Sequence, residues 1–450
     1  MAETPPSAIP PARAQSLQDE SSQNPGCSSP SSNKYQHASN EQYVDDITLE
    51  FFYKPHTITL LILIMFFLIY SAFYQADGSS TEQSSTRDNV VRGVRSFSFA
   101  FLLISTVALP NGPFTRPHPA VWRAVLGLTI LYWCGLIFAL HQSYDDVKST
   151  MIAYDPRMDS KYLDARDSAD YASNCEFTMA NLYSRFDVFI IAHFVGWIGK
   201  ALLFRNLTVC WIQSLTWELT EIVFAPLIPN LYECWWDQLL YDVIFCNALG
   251  MYIGWRLCRY LEMRTYHWHG IRSYHTLTGK YQRAVMQFTP RSWTKVEWGM
   301  FSSIKRYGAV MAVTILITIA ELNAFFLKHI FKVSAENPVN SIRLGLWFVM
   351  GAPALRQVYV YITDPSCRRL GTQAWTTFGV LMTEVLLIVK FGSGIFDTAL
   401  VYKQLGRWML METGVIVGYL FIQKRLPSFT GTSEPAHNPL HPANIKEKIG

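Results

Sequence analysis

The sequence predicts an all-α fold: a polytopic transmembrane bundle of about ten helices, with both termini in the cytosol. Three observations lead there. Of 450 residues, 50% are hydrophobic and only 16% are charged, against roughly 25% charged in an average soluble protein. Apolar stretches of about 20 residues, the length that crosses a bilayer, recur along the chain. Lys and Arg are concentrated in alternate connections between those stretches.

Residues 1–50 are polar, rich in Pro, Ser, Asn and Gln, and without hydrophobic periodicity. They read as a disordered cytosolic tail and carry no cleavable signal peptide. Residues 51–425 form the membrane domain, and 426–450 a second flexible tail. Within the domain, spans are expected near 57–74, 94–110, 120–141, 186–204, 207–229, 238–258, 307–331, 341–362, 373–392 and 406–423. No internal repeat marks an inverted-repeat transporter. The net charge of +4 is too small to imply a nucleic-acid partner. Eight cysteines without CxxC or Cys/His spacing give neither a disulfide scaffold nor a zinc site.

Orientation follows from the bases. The segment 259–306 carries Arg259, Arg264, Arg272, Lys280, Arg283, Arg291, Lys295, Lys305 and Arg306, opposed by Glu262 and Glu297. It is therefore cytosolic, and Arg116 with Arg123, Lys200 with Arg205, and Arg368 with Arg369 agree. The Asp-rich connection 142–185 and the base-free turn Asn230–Asp237 fall on the lumenal side. Arg87 and Arg92 in loop 75–93 run against the scheme. Asn206-Leu207-Thr208 fits the glycosylation pattern, but its cytosolic position predicts that it is unmodified.

Ionisable residues inside spans are expensive, about 2.5–3.5 kcal/mol each on an insertion scale. Glu218 and Glu221 nevertheless lie three residues apart on one helical face. Glu233 and Asp237 follow, then Asp242 and Asn247, while the preceding span carries His193. The orientation places all of these in the lumenal half of the bilayer. Five carboxylates in a low-dielectric pocket need a counter-charge. A hard divalent cation such as Ca²⁺ supplies one through roughly six to eight oxygen ligands, and residue type alone also admits Mg²⁺ or Mn²⁺. The bland alternative pairs the acids with Lys200, Arg256 or Lys390. His193 alone is equally a packing residue, and its depth beside the acids is what favours a catalytic role. Trp235 and Trp236 read as an interfacial anchor. Cys175 and Cys234 both fall in lumenal connections, where disulfides persist, and a bridge between them would tie loop 142–185 over the pocket mouth.

Four runs then carry a resemblance: Gly112-Pro113-Phe114-Thr115-Arg116-Pro117-His118-Pro119, Glu233-Cys234-Trp235-Trp236-Asp237, Leu261-Glu262-Met263-Arg264-Thr265-Tyr266-His267-Trp268 and Gln287-Phe288-Thr289-Pro290. Together, over residues 45–425, they resemble the eukaryotic base-exchange phosphatidylserine synthases. Trp217-Glu218-Leu219-Thr220-Glu221 and the 262–268 run look more like the phosphatidylcholine-using class. The resemblance implies a multi-pass enzyme of the endoplasmic reticulum membrane that exchanges a phospholipid head group for L-serine, with Ca²⁺ and without nucleotide. The donor would be phosphatidylcholine, or alternatively phosphatidylethanolamine. On this reading His193 is the general base, or a covalent nucleophile. Glu218, Glu221, Glu233, Asp237, Asp242 and Asn247 hold Ca²⁺ and orient the serine amine. Arg116, Arg283, Gln287 and Pro290 would form a cytosolic site that senses the product. A homodimer is left open.

Neither the Asp-Gly motif of CDP-alcohol phosphotransferases nor the His-x-Lys constellation of phospholipase D enzymes occurs as those families use it. The rival from another class is a cation or solute carrier, since intramembrane acids also line ion pathways. Against it stand the missing repeats and the missing second acidic cluster.

Overall fold

The structure, a computed structural model, describes residues 57–74, 86–114, 116–159, 175–185, 188–263, 275–286, 296–334 and 337–425. Both tails, the 264–268 part of the Leu261–Trp268 run, Gln287 and Pro290 lie outside the described residues.

All regular structure among the described residues is helical. The longer helices are α1 (Thr57–Ile69), α2 (Thr86–Ala108), α3 (Pro119–Leu140), α4 (Val188–Phe204), α5 (Leu207–Phe224), α6 (Gly250–Met263), α7 (Ile304–Ile330), α8 (Pro338–Thr363), α9 (Thr372–Gly392) and α10 (Thr398–Arg425). Each falls on one of the expected apolar stretches. A π-helix, Asp237–Leu249, runs directly into α6. Asn89–Ala108, Pro119–Leu140, Ile304–Ile330 and Thr372–Gly392 are long and apolar enough to cross a membrane, while Ile58–Phe73 and Ile190–Phe204 are apolar but shorter. The helices bearing Glu218, Glu221 and Asp242 are not among the four, because their acids and other polar residues lower the apolarity. Phe66 and Leu410 expose 67% and 74% of their surface. Outward-facing apolar side chains on that scale suit lipid rather than water.

Local chemistry explains the helix starts. The His118 imidazole accepts from Ala120 N with Pro119 at the first helical position, and Ser303 and Asn337 cap α7 and α8. The Asn206 side chain accepts from Val209 N at 3.1 Å and so begins α5. Arg205, at φ 50°, takes the left-handed turn that separates α4 from α5.

The chain forms two compact units: Met1–Tyr162, Trp255–Gly299 and Ala335–Leu387 make one, and Leu163–Gly254, Met300–Ser334 and Ile388–Gly450 the other. The first packs Val125, Met350 and Val380 with Trp122, Trp133 and Trp347 around them. Its buried ion pair joins Arg343 Nη2 to Glu384 Oε2 at 2.7 Å. The Tyr132 hydroxyl (2.6 Å) and the Trp347 indole (3.3 Å) donate to the same carboxylate, so the buried charge is well satisfied. Arg116 and Arg283 belong to this unit and are both buried.

The second unit is built around α5. Val223, Phe224, Leu227 and Ile228 pack with Leu322, Phe326 and Trp408 into its main apolar core. Gln213 donates to Thr318 on α7 (3.0 Å), and Trp408 on α10 donates to Thr220 (2.8 Å). On the other side α4 packs closely against the π-helix and the start of α6. A Cβ on Gly250 would meet Phe194 O and Trp197 Cβ at 3.0 Å; one on Gly254 would meet Ala201 Cβ at 2.6 Å and Ile198 O at 2.9 Å. This small-xxx-small spacing lets the two backbones approach closely.

Candidate active site

His193 projects from α4, Glu218 and Glu221 from α5, and Asp242 and Asn247 from the π-helix. The helix type matters here. In an α-helix, residues five apart point about 140° away from each other. The i→i+5 bonding of a π-helix brings them toward one face, so Asp242 and Asn247 both turn inward, buried at 8% and 0% exposure. An α-helical reading of 238–258 does not place them together.

Asn247 is the hub. Its Nδ2 donates to Glu218 Oε1 at 2.7 Å and to Ser214 Oγ at 2.9 Å. Its Oδ1 lies 3.0 Å from His193 Nε2. Trp197 Nε1 donates to that same Nε2 at 2.8 Å. The two partners favour opposite tautomers: the indole selects a lone pair on Nε2, and the amide oxygen selects a proton there. The other ring nitrogen, Nδ1, faces Asp242 Oδ1 at 3.8 Å. Asp242 and Glu233 are within hydrogen-bonding reach of each other. Glu221 lies in the fields of both Glu233 and Glu218. His193, Glu218, Glu221, Glu233, Asp242 and Asn247 therefore gather at one centre. Asp237 is buried at the start of the π-helix, and its charge reaches Tyr241 and Cys246.

None of the three candidate bases forms an ion pair with these acids among the described residues. Lys200 Nζ pairs with Glu321 at 2.9 Å and lies 4.0 Å from the Trp197 ring centroid, although its field extends to His193 and Glu218. Lys390 lies over the Phe391 ring, and Arg256 is exposed.

Ca²⁺ can be tested against this donor set. Glu218 Oε2, Glu221 Oε2 and Glu233 Oε2 are buried and have no hydrogen-bond partner. Such an orphan costs about 1–3 kcal/mol, more when charged, and a bound cation would remove the cost. All cluster donors apart from the imidazole are oxygens, as a hard cation requires. Among the described residues no three His, Cys, Asp or Glu side chains already stand as a ligand set. The oxygen donors are of the kind a hard cation such as Ca²⁺ takes, and Glu218, Glu221, Glu233, Asp242 and Asn247 are the residues that would hold it.

Cys175 is bonded to Cys234, with Cα atoms 5.2 Å apart. Trp236, fully buried, donates its indole N–H to Cys175 O at 3.3 Å. The bridge thus anchors residue 175 beside Glu233 and Asp237. Trp235 remains exposed at 64%, as an interfacial residue is, whereas Trp236 is a core residue. Sequence reasoning missed Ser214 and Trp197. Each sits four residues from a singled-out partner, Glu218 and His193, and that one-turn spacing was the available signal.

Fold and site together define a helical membrane protein with a buried, acid-rich polar centre. Residues 117–392 match the family described as "Phosphatidyl serine synthase", a range that contains every residue of the centre. The chain is 46% identical over 360 residues to zebrafish phosphatidylserine synthase 1, covering 80% of this chain and 76% of that protein. It is 39% identical over 417 residues to the Drosophila phosphatidylserine synthase, covering 91% and 80%. An Arabidopsis protein named CDP-diacylglycerol–serine O-phosphatidyltransferase 1 is 34% identical over 378 residues, covering 81% and 87%. The chain belongs to the phosphatidylserine synthase family of enzymes.

Proposed function

We propose that this enzyme makes phosphatidylserine by Ca²⁺-dependent base exchange, L-serine displacing the choline of phosphatidylcholine at a centre open to the lumenal leaflet of the endoplasmic reticulum. The observation that carries the reading is the set of three orphaned, buried carboxylate oxygens beside a histidine. Such an arrangement suits a hard cation beside a proton acceptor.

In the exchange the serine Oγ–P bond forms and the P–O bond to choline breaks. The serine hydroxyl proton goes to His193 and returns to the departing choline oxygen. We assign this to His193 Nδ1, a reading supported by its facing Asp242 while Nε2 is engaged by Trp197 and Asn247. Proton transfer at Nδ1 uses the tautomer in which Nε2–H donates to Asn247 Oδ1 and the Trp197 hydrogen bond to Nε2 is given up, while Glu218 holds that amide in place. Bound Ca²⁺ would neutralise charge on the phosphate oxygens. The remaining carboxylates orient the serine amine. No nucleotide is consumed, because one phosphodiester replaces another. Trapping a phosphatidyl group on His193 would instead assign it the nucleophile's role.

On the cytosolic side, Arg116, Arg283, Gln287 and Pro290 are assigned to product sensing. Arg supplies forked donors suited to an anionic head group.

The test uses purified protein in mixed micelles with phosphatidylcholine, labelled L-serine and no nucleotide. Labelled phosphatidylserine and stoichiometric free choline are expected with Ca²⁺, and both disappear with chelator and with Glu221→Gln. Product from phosphatidylethanolamine alone changes the donor. Product only with CDP-diacylglycerol, the donor in the Arabidopsis relative's name, overturns base exchange.

A further inference from the structure

The π-helix has a second face that the chemistry above does not use. Opposite Asp242 and Asn247, a groove of about 620 Å³ runs along it and into α6. Leu182, Tyr241, Ile244, Ala248, Leu249 and Tyr252 line it, and no charged side chain contributes. The Tyr241 hydroxyl is satisfied by donating to Leu182 O at 2.8 Å. Ile244 and Tyr252 are 54% and 52% exposed, so the groove opens outward. Ala248 is its smallest lining residue.

The groove and the polar centre share one helix: Tyr241 precedes Asp242, and Ala248 follows Asn247. One helix therefore separates an acid cluster that can hold a phosphate-bound cation from an apolar channel. From Tyr241 to Tyr252 the lining runs over more than two helical turns, enough to lie along part of an extended fatty-acyl chain. A diacyl phospholipid carries both a charged group and apolar chains. A soluble head-group donor would have no use for the channel.

We propose that this groove is the acyl-chain subsite of the phospholipid donor, holding one chain along the outer face of the π-helix while the phosphodiester sits at the acid cluster. The inference rests on the base-exchange reading. It makes the donor's chain, not only its head group, part of recognition.

Ala248→Phe fills the groove, and Leu249→Gln, on its exposed wall, makes the lining polar without adding bulk. Each is assayed with a dioleoyl and a dihexanoyl phosphatidylcholine. The apparent KM for the dioleoyl donor should rise roughly tenfold, equivalent to about two buried methylenes. The KM for the dihexanoyl donor and for serine should stay within about twofold. Equal losses on both donors, or no loss on either, overturn the subsite. Independently of turnover, a phosphatidylcholine bearing a mid-chain diazirine is photolysed on the wild-type protein. Labelling of residues 241–252 that excess unlabelled donor removes supports the subsite; labelling elsewhere, or labelling that is not displaced, refutes it. A wild-type protein that makes no phosphatidylserine from either donor defeats base exchange, and the photolabel still decides the groove.

Discussion

Asn247 connects an acid on one helix to a histidine on another, so its loss should be felt at both ends. Asn247→Ala leaves Glu218 Oε1 without its 2.7 Å donor and His193 Nε2 with Trp197 as its remaining partner. The expected result is a fall in kcat of about 10²-fold or more, similar in scale to His193→Ala at about 10²–10⁴. Labelled-serine incorporation measures this, with unchanged helical content by circular dichroism showing that the protein is folded. A kcat within a factor of a few of wild type would remove Asn247 from the catalytic geometry. His193, Glu218, Glu221, Asp242 and Asn247 were legible in the sequence because polar side chains in apolar stretches are costly wherever they point. Trp197 and Ser214 were not, because an indole or a hydroxyl in a membrane helix costs little and has many uses.

At the scale of elements, the close pass of α4 against the start of α6 holds His193 against Asn247. Gly254→Leu forces a side chain into Ala201 and the Ile198 carbonyl, where even a Cβ would lie at 2.6 Å and 2.9 Å. Overpacking of this kind costs about 1–3 kcal/mol. The unfolding temperature in detergent should drop, and activity should fall beyond the loss of folded protein because His193 and Asn247 are pushed apart. An unchanged melting curve would show that the helices separate without penalty. The helices themselves were readable from apolar run length, whereas the caps at Asn206, Ser303 and Asn337 came from the structure. The π register of 237–249 was not readable. Its composition resembles any mixed polar–apolar span, and the choice between i→i+4 and i→i+5 bonding turns on small differences that packing settles.

For the whole molecule, predictions can be made in each of the two units. Glu384→Ala in the first strands buried Arg343 without its 2.7 Å partner. Removing one member of a buried pair costs about 3–5 kcal/mol, so yield and thermal stability should fall steeply. A variant as stable as wild type would show that Arg343 reaches water. Arg116→Lys replaces a fork by a point charge and should raise the phosphatidylserine concentration needed for half-inhibition; unchanged inhibition discards the sensing role. The sequence by itself determined the helical class, the family and the residues of the polar centre, because the cost of burying a charge belongs to each residue and shows wherever that residue stands. Only the tertiary structure decided that His193 meets Asn247 across 54 positions, that Lys200 is held by Glu321 rather than by the cluster, and that an apolar groove lies behind Asp242. Those outcomes depend on helix register and crossing, which are set by the summed packing of segments far apart in the chain.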